Sequence, residues 1–180
     1  MNKELLRKRI KTQKTDRVYV ISASETIREK VMEMPCFKES HKVFCYVSLD
    51  TEVQTDEIMK ACLKDKELYV PKCVSKTQMK AVRISSLDDL EKGYYGIREP
   101  VNMDVTSEQF DLMIVPCLAA GKNGERLGHG AGYYDRFLKS AEGKTICLCF
   151  QKNITEEIEM TDSDVFMDLI ITEEKIYREK

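Results

Sequence analysis

Four of the chain's eight glycines, Gly124, Gly128, Gly130 and Gly132, fall within nine positions in the stretch NGERLGHGAGYYDRF (123–137). Glycine removes the side chain where backbone N–H groups must come close to a ligand, and it opens the φ > 0 conformations from which anion-cradling nests are built. The following run YYDRFLKSA reads as a helix starting near Gly132, whose positive N-terminal end falls at the same place. Phosphate is the ligand this chemistry suits. Arg126 and Lys122 supply mobile positive charge, and Asp135, one turn into the helix, is placed to hold a magnesium ion that bridges phosphate oxygens. A bare G-x-G-x-G also occurs in ordinary surface loops, so the flanking charge and helix carry the phosphate reading.

Two other phosphate motifs are excluded by spacing. GKT occurs at 143–145, but Leu138 stands where the leading glycine of a Walker A loop belongs. A dinucleotide fingerprint needs its first glycine at the end of the first strand, whereas these glycines lie well past the strand that precedes them.

The elements around the loop follow from periodicity. NKELLRKRIKTQ reads as an N-terminal helix with Leu5, Leu6 and Ile10 on an apolar stripe and Lys3, Arg7 and Lys14 pointing elsewhere. Ser22 and Glu25, at capping-box spacing, predict a second helix running to about Met34 and stopping at Pro35. KVFCYVS, a helix capped by Thr55, and ELYVP then give strand, helix, strand, the pattern of a parallel crossover. DLMIVP (111–116), the glycine loop with its helix, and KTICLCF (144–150) repeat it, and MDLIITE is expected as the closing strand. Between the two units, MKAVRIS reads as a strand, SLDDLEKG as a short helix and YYGIREP as irregular. The sum is one α/β domain with a mostly parallel sheet covered on both faces, in which ligands bind at the carboxyl ends of the strands.

Composition bounds the remaining possibilities. A chain of 180 residues, 42% apolar and 33% charged, is one soluble globular domain. No apolar run suits a membrane helix and the charged start does not suit a signal peptide, so a cytoplasmic address is expected. The seven cysteines sit mostly in apolar runs and lack zinc-ligand spacing; reduced core residues and no zinc are expected. A formal charge of −2 gives no global pull toward nucleic acid, although residues 1–17 carry seven Lys or Arg against two acids.

Beyond composition, PCLAAGKNGERLGHGAGYYDRFL (116–138) resembles the signature of the 5-formyltetrahydrofolate cyclo-ligase family, close to P-G-L-x-F-D-x-x-G-x-R-L-G-x-G-x-G-Y-Y-D. Four further blocks resemble that family in order: KELLR, YVSLDTEVQT, YYGIREP and SDVFMDLIITE. Departures are Ala120 and Gly121 for the family's Phe-Asp, Cys117 for a glycine, Ser163 for a histidine, Asn153 for a glutamine and Glu159 for a proline.

The resemblance implies a single three-layer α/β/α, Rossmann-like (CoA-transferase-like) domain. It implies an ATP- and magnesium-dependent enzyme that converts 5-formyltetrahydrofolate into 5,10-methenyltetrahydrofolate, ADP and phosphate, acting as a monomer on small molecules, with no nucleic acid or membrane partner. By the same resemblance Lys3 and Arg7 reach ATP phosphates, and Arg126, Leu127, Gly128, His129, Gly130, Ala131, Gly132, Tyr133 and Tyr134 cradle the nucleotide. His129, Gly130, Ala131, Gly132 and Tyr133 also meet the folate, with Val47 and Glu52 at the pterin. Asp135 and Asp168 hold magnesium, and Arg126 and Asp135 are the catalytic pair. His129 is read as a phosphate or folate-tail contact rather than a proton donor. Two other readings stand beside this one: a nucleotide- or folate-binding homologue without turnover, and an RNA-binding basic helix, for which no aromatic-rich strand platform is visible.

Overall fold

A computed structural model describes residues 2–14, 16–93 and 96–178. The chain opens with α1 (Lys3–Lys11), α2 (Arg17–Glu33) and a one-turn α3 (Pro35–Lys38). β1 (Lys42–Cys45), α4 (Asp56–Asp65) and β2 (Glu67–Cys73) form the first crossover, with β1 and β2 parallel. β3 (Met79–Ile84), β4 (Leu90–Lys92), β5 (Arg98–Pro100) and β6 (Thr106–Ser107) lead to β7 (Gln109–Pro116). β8 (Ala119–Gly121), β9 (Arg126–Leu127), α5 (Tyr133–Ser140), β10 (Glu142–Leu148), β11 (Ile154–Thr155), β12 (Leu169–Ile171) and β13 (Ile176–Arg178) complete it.

Among the described residues the main sheet has eight strands in the order β13-β12-β10-β7-β1-β2-β3-β6. The five strands from β12 to β2 run parallel, β13 and β3 flank them antiparallel, and β6 is antiparallel to β3 at the outer edge. Alternation along the strands builds a core on each face. Val43, Cys45, Leu112, Ile114, Ile146 and Leu148 pack under α2 and α4, whereas Phe44, Met113, Val115 and Cys147 pack under Phe137 and Leu138 of α5. Burial on both sides is why these strands read as continuous apolar runs. The result is the three-layer α/β/α arrangement.

Several local expectations are corrected. α2 begins at Arg17, because Asp16 accepts from Val18 N at 2.9 Å and caps it there; Ser22 lies inside the helix. Thr55 occupies the N-cap of α4 without capping it: its hydroxyl donates to the Tyr46 carbonyl at 2.8 Å, tying the helix start to the end of β1. SLDDLEKG makes only a 3₁₀ turn, Leu87–Asp89, before β4. In YYGIREP the last three residues form β5 against β4, and Tyr94 and Tyr95 lie outside the described residues. MDLIITE is followed by β13. A small second sheet, β11-β8-β9, went unread because its strands are only two or three residues long.

On α1, Leu5 is 66% exposed while Leu6 is buried against Ala119, Leu127 and Ile158 of the small-sheet region. The inward stripe is therefore Lys3, Leu6, Arg7 and Ile10, the i, i+3, i+4, i+7 face. Lys3 and Arg7 lie on the apolar side rather than away from it. No described helix is long and apolar enough to cross a membrane, and all seven cysteines are free.

Candidate active site

The parallel strands β1, β2 and β7 end on one side of the sheet, and the segments leaving them open a cleft of about 530 Å³. Tyr46, Val47, Leu49 and Glu52 line it after β1; Pro71 and Cys73 belong to β2; Pro116 and Cys117 come from the end of β7. The glycine loop from Arg126 to Asp135 forms the opposite wall, α1 contributes Lys3 and Arg7, and Thr161, Ser163 and Asp164 close one end.

The loop is held by both of its glycine geometry and its basic neighbours. Gly130 (φ 108°) and Gly132 (φ 70°) adopt left-handed backbone conformations, and Gly132 is the N-cap of α5. Arg7 donates from Nε to the Gly128 carbonyl at 3.0 Å, so α1 clamps the loop directly. A Cβ at Gly128 would come within 3.1 Å of Arg126 Nη1, which explains a glycine there without positive φ.

Arg126 is only 3% exposed. Its Nη2 donates to Asp135 Oδ1 at 2.7 Å, Nη1 reaches the Pro116 carbonyl at 3.4 Å, and the guanidinium lies 5.7 Å from the Tyr134 ring centre. Nε is buried with no partner among the described residues. The sequence suggested mobile charge at Arg126 and Lys122; the fold instead fixes Arg126 beneath the loop and pairs Lys122 with Glu156, away from the cleft lining.

On the facing wall Glu52 is 8% exposed. Its Oε2 accepts from Leu49 N at 2.9 Å, and its Oε1 lies 3.3 Å from His129 Nε2 across the cleft. Asp164 pairs with Lys3 and accepts from Thr161 N at 2.7 Å. Burial alone would raise the Asp164 carboxyl, but the hydrogen bonds from Lys3 and Thr161 outweigh it and hold it below the ordinary carboxylate range.

A family model matches residues 1–173, and the family it describes is that of 5-formyltetrahydrofolate cyclo-ligase. The chain belongs to this family. It is 33% identical over 198 aligned positions to a 5-formyltetrahydrofolate cyclo-ligase of Saccharomyces cerevisiae, covering 94% of each. To a probable 5-formyltetrahydrofolate cyclo-ligase of Caenorhabditis elegans it is 32% identical over 167 positions, with 83% of this chain and 81% of the relative covered. Its fold matches the NMR structure of Aquifex aeolicus 5,10-methenyltetrahydrofolate synthetase with a TM-score of 0.87 at 30% identity, over 98% of this chain and 92% of that one.

Of the residues the family resemblance singles out, Lys3, Arg7, Val47, Glu52 and the run from Arg126 to Asp135 all line the one cleft. Asp168 does not. Its Oδ2 accepts from Thr145 N at 2.7 Å and Thr145 Oγ1 at 2.8 Å, and so braces β10 from the far side of the 161–168 loop. The acid from that loop in the lining is Asp164, four residues earlier in the same SDVFMD block. The departures Ala120 and Gly121 also lie off the cleft. They sit in β8 paired with Ile154 and Thr155, and a Cβ at Gly121 would meet Glu125 Oε2 at 2.3 Å. Sequence reasoning missed Tyr46, Met79 and Glu99 as lining residues; Glu99 lies in the quoted YYGIREP block, so a signal existed, whereas Met79 carries none.

Proposed function

We propose that this protein closes the ring of 5-formyltetrahydrofolate to give 5,10-methenyltetrahydrofolate, using ATP and magnesium and releasing ADP and phosphate. The observation that carries the reading is the single cleft in which a cation-clamped glycine loop at a helix N-terminus faces a buried carboxylate on a largely apolar wall. The loop, Lys3 and Arg7 suit nucleotide phosphates. Glu52, with Val47 beside it, suits a flat heterocycle with N–H donors.

The chemistry requires both ligands side by side. A formamide oxygen is a very poor leaving group, so the γ-phosphoryl passes to the formyl oxygen and ADP leaves, giving an iminium phosphate. The N10 lone pair then attacks the formyl carbon, the N10 proton is lost, and the carbon–oxygen bond breaks to release phosphate. Such a sequence asks for positioning and charge neutralisation rather than a protein nucleophile.

Magnesium typically takes one or two protein carboxylates and fills its shell with phosphate oxygens and water. Asp135, at the N-terminal turn of α5 in the lining, fits that pattern, and Asp164 is the other aspartate of the lining, whereas Asp168 lies outside it. When bound, the ion would neutralise charge on the phosphates. Arg126 would fix the Asp135 carboxylate and add positive charge from below. His129, beside Glu52, would bridge the nucleotide loop and the pterin.

The test is the rise in near-ultraviolet absorbance of the methenyl product when the protein meets 5-formyltetrahydrofolate, ATP and magnesium. Absence of product from folded protein overturns the reading; binding of both ligands without ADP release would make the protein a binding homologue.

A further inference from the structure

Ring closure moves a proton as well as a phosphoryl group. When N10 attacks the phosphorylated formyl carbon it becomes a positively charged nitrogen, and in that form it leaves again more readily than phosphate does. Its proton has to go before the carbon–oxygen bond breaks, and a base positioned beside it speeds such a step by about 100-fold or more. Among the described residues four carboxylates line the cleft, and three are committed elsewhere. Asp135 is held by the Arg126 guanidinium and Asp164 by the Lys3 ammonium, while Glu52 accepts from Leu49 N and faces His129 at the pterin side. A fixed cation favours the ionised carboxylate and so weakens its hold on a proton. Glu99 is different.

Glu99 has no cation partner among the described residues, and the residue in register with it on β4 is another acid, Glu91. It is only 9% exposed, so little bulk water competes for it. Its Oε1 accepts from Cys73 N at 3.1 Å, which fastens the carboxylate to the end of β2. Gly93 leaves the space it fills, since a Cβ there would lie 2.4 Å from Glu99 Oε2. The Cys73 thiol is a second, weak donor to it: burial first, then the Glu99 charge, push that thiol up to about 11. A carboxylate accepts at about four lone-pair positions, so room for a proton is left. Position along the cleft agrees with chemistry. β1 lies between β7 and β2 in the sheet. α1, with Lys3 and Arg7, packs on the small sheet that follows β7; Glu52 follows β1; Glu99 is tied to β2.

We propose that the Glu99 carboxylate accepts the N10 proton during ring closure. This role rests on the cyclo-ligase reading. With the phosphates at Lys3, Arg7 and the glycine loop and the pterin at Glu52, the N10 side of the substrate faces β2, where Glu99 is the acid in the lining. The N10 lone pair forms the bond to the formyl carbon, the N10 proton passes to a Glu99 oxygen, and the N–H electron pair stays on nitrogen. The carbon–oxygen bond then breaks with its pair on phosphate, and the N10 pair restores the double bond to carbon. Protonated Glu99 returns its proton to solvent when product leaves.

The test follows a single turnover of 5-formyltetrahydrofolate with ATP, magnesium and excess protein. ADP is measured after quenching, and the methenyl product by its near-ultraviolet absorbance. Glu99→Gln keeps an oxygen for Cys73 N and is expected to form ADP at close to the wild-type rate, while the methenyl product lags about 100-fold behind wild type. Glu99→Asp keeps a base one methylene further back and is expected to recover part of that loss. Thermal melts report whether each variant is folded. A folded Glu99→Gln protein that makes product at the wild-type rate overturns the role, as does an equal slowing of ADP and product, which would make Glu99 a binding or structural residue. Should Glu99→Gln not fold, Glu99→Asp decides by the same split: product lagging behind ADP supports the role, and both in step overturns it. Wild-type protein that forms neither ADP nor product overturns the cyclo-ligase reading and this role together.

Discussion

The guanidinium of Arg126 and the carboxylate of Asp135 meet at 2.7 Å, with Arg126 side-chain exposure of 2% and Asp135 exposure of 21%. The residue expected to touch phosphate is thus a buried strut, and the residue expected to touch magnesium is its partner. Each substitution at this pair changes stability as well as chemistry.

Asp135→Asn leaves a buried guanidinium without a counter-charge. The penalty for a fully buried pair is scaled down by the partial exposure of Asp135, to about 1–3 kcal/mol of stability. Turnover is expected to fall at least about 100-fold if this carboxylate faces magnesium as proposed. The double variant Arg126→Met with Asp135→Asn is expected to regain part of the stability and none of the turnover. Urea midpoints and kcat measured on the same preparations separate the two effects.

Glu52 accepts from Leu49 N and faces His129, and a neutral amide there would weaken the proposed pull on pterin N–H donors. Hydrogen bonds to a charged group contribute about 1.5–3 kcal/mol, so Glu52→Gln should raise the folate KM by about 10-fold or more and leave the ATP KM within about 2-fold. An equal rise in both would remove Glu52 from the pterin subsite.

Two glycines of the loop region separate fold from function. Gly124 has φ 96°, and a Cβ there would lie 2.6 Å from the Met167 carbonyl oxygen, a backbone atom that cannot swing away. Gly124→Ala is expected to cost at least about 2 kcal/mol with kcat unaltered below the melting transition, since Gly124 is off the cleft. At Gly132, φ 70°, the added Cβ would meet only the end of Arg136, 2.7 Å away. Gly132→Ala should cost about 1–2 kcal/mol and raise the ATP KM, because it distorts the helix N-terminus at the loop. Thermal melts alongside ATP titrations distinguish the pair.

Asp111 accepts from the backbone N–H groups of His41 and Lys42, each at 2.8 Å, and these bonds, Lys42's first, hold its carboxyl below the usual range. A depressed folded-state pKa means that the ionised form stabilises the fold. That contribution is fully present above about pH 4, the unfolded value, and is lost as pH falls through the folded value. Asp111→Asn should lower the urea midpoint at neutral pH, and the gap from wild type should close on acidification through that window. A gap that stays constant with pH would refute the assignment.

Much of the arrangement was legible because it rests on short-range pattern. The alternation and apolar runs of KVFCYVS, DLMIVP and KTICLCF identified the central strands, since burial on both faces leaves little room for polar residues. The failures are of two kinds. Ser22 and Thr55 carry cap-like chemistry, but their hydroxyls are used elsewhere once Asp16 and the Tyr46 carbonyl are near. β8 and β9 pair across a short loop and β11 joins them from some thirty residues further along the chain, pairings that periodicity over two or three residues cannot report.

By itself the sequence determined the fold class, the position of the glycine loop and the helix that follows it, because these depend on backbone freedom and local spacing. Tertiary structure alone decided which acid enters the cleft. Asp164 and Asp168 lie four residues apart in one block, yet Thr145 captures Asp168 at β10 while Lys3, brought over by the packing of Leu6 on the small sheet, meets Asp164 at the cleft. The partner that a carboxylate finds is set by the elements that fold beside it, and those lie 23 and 161 residues away along the chain.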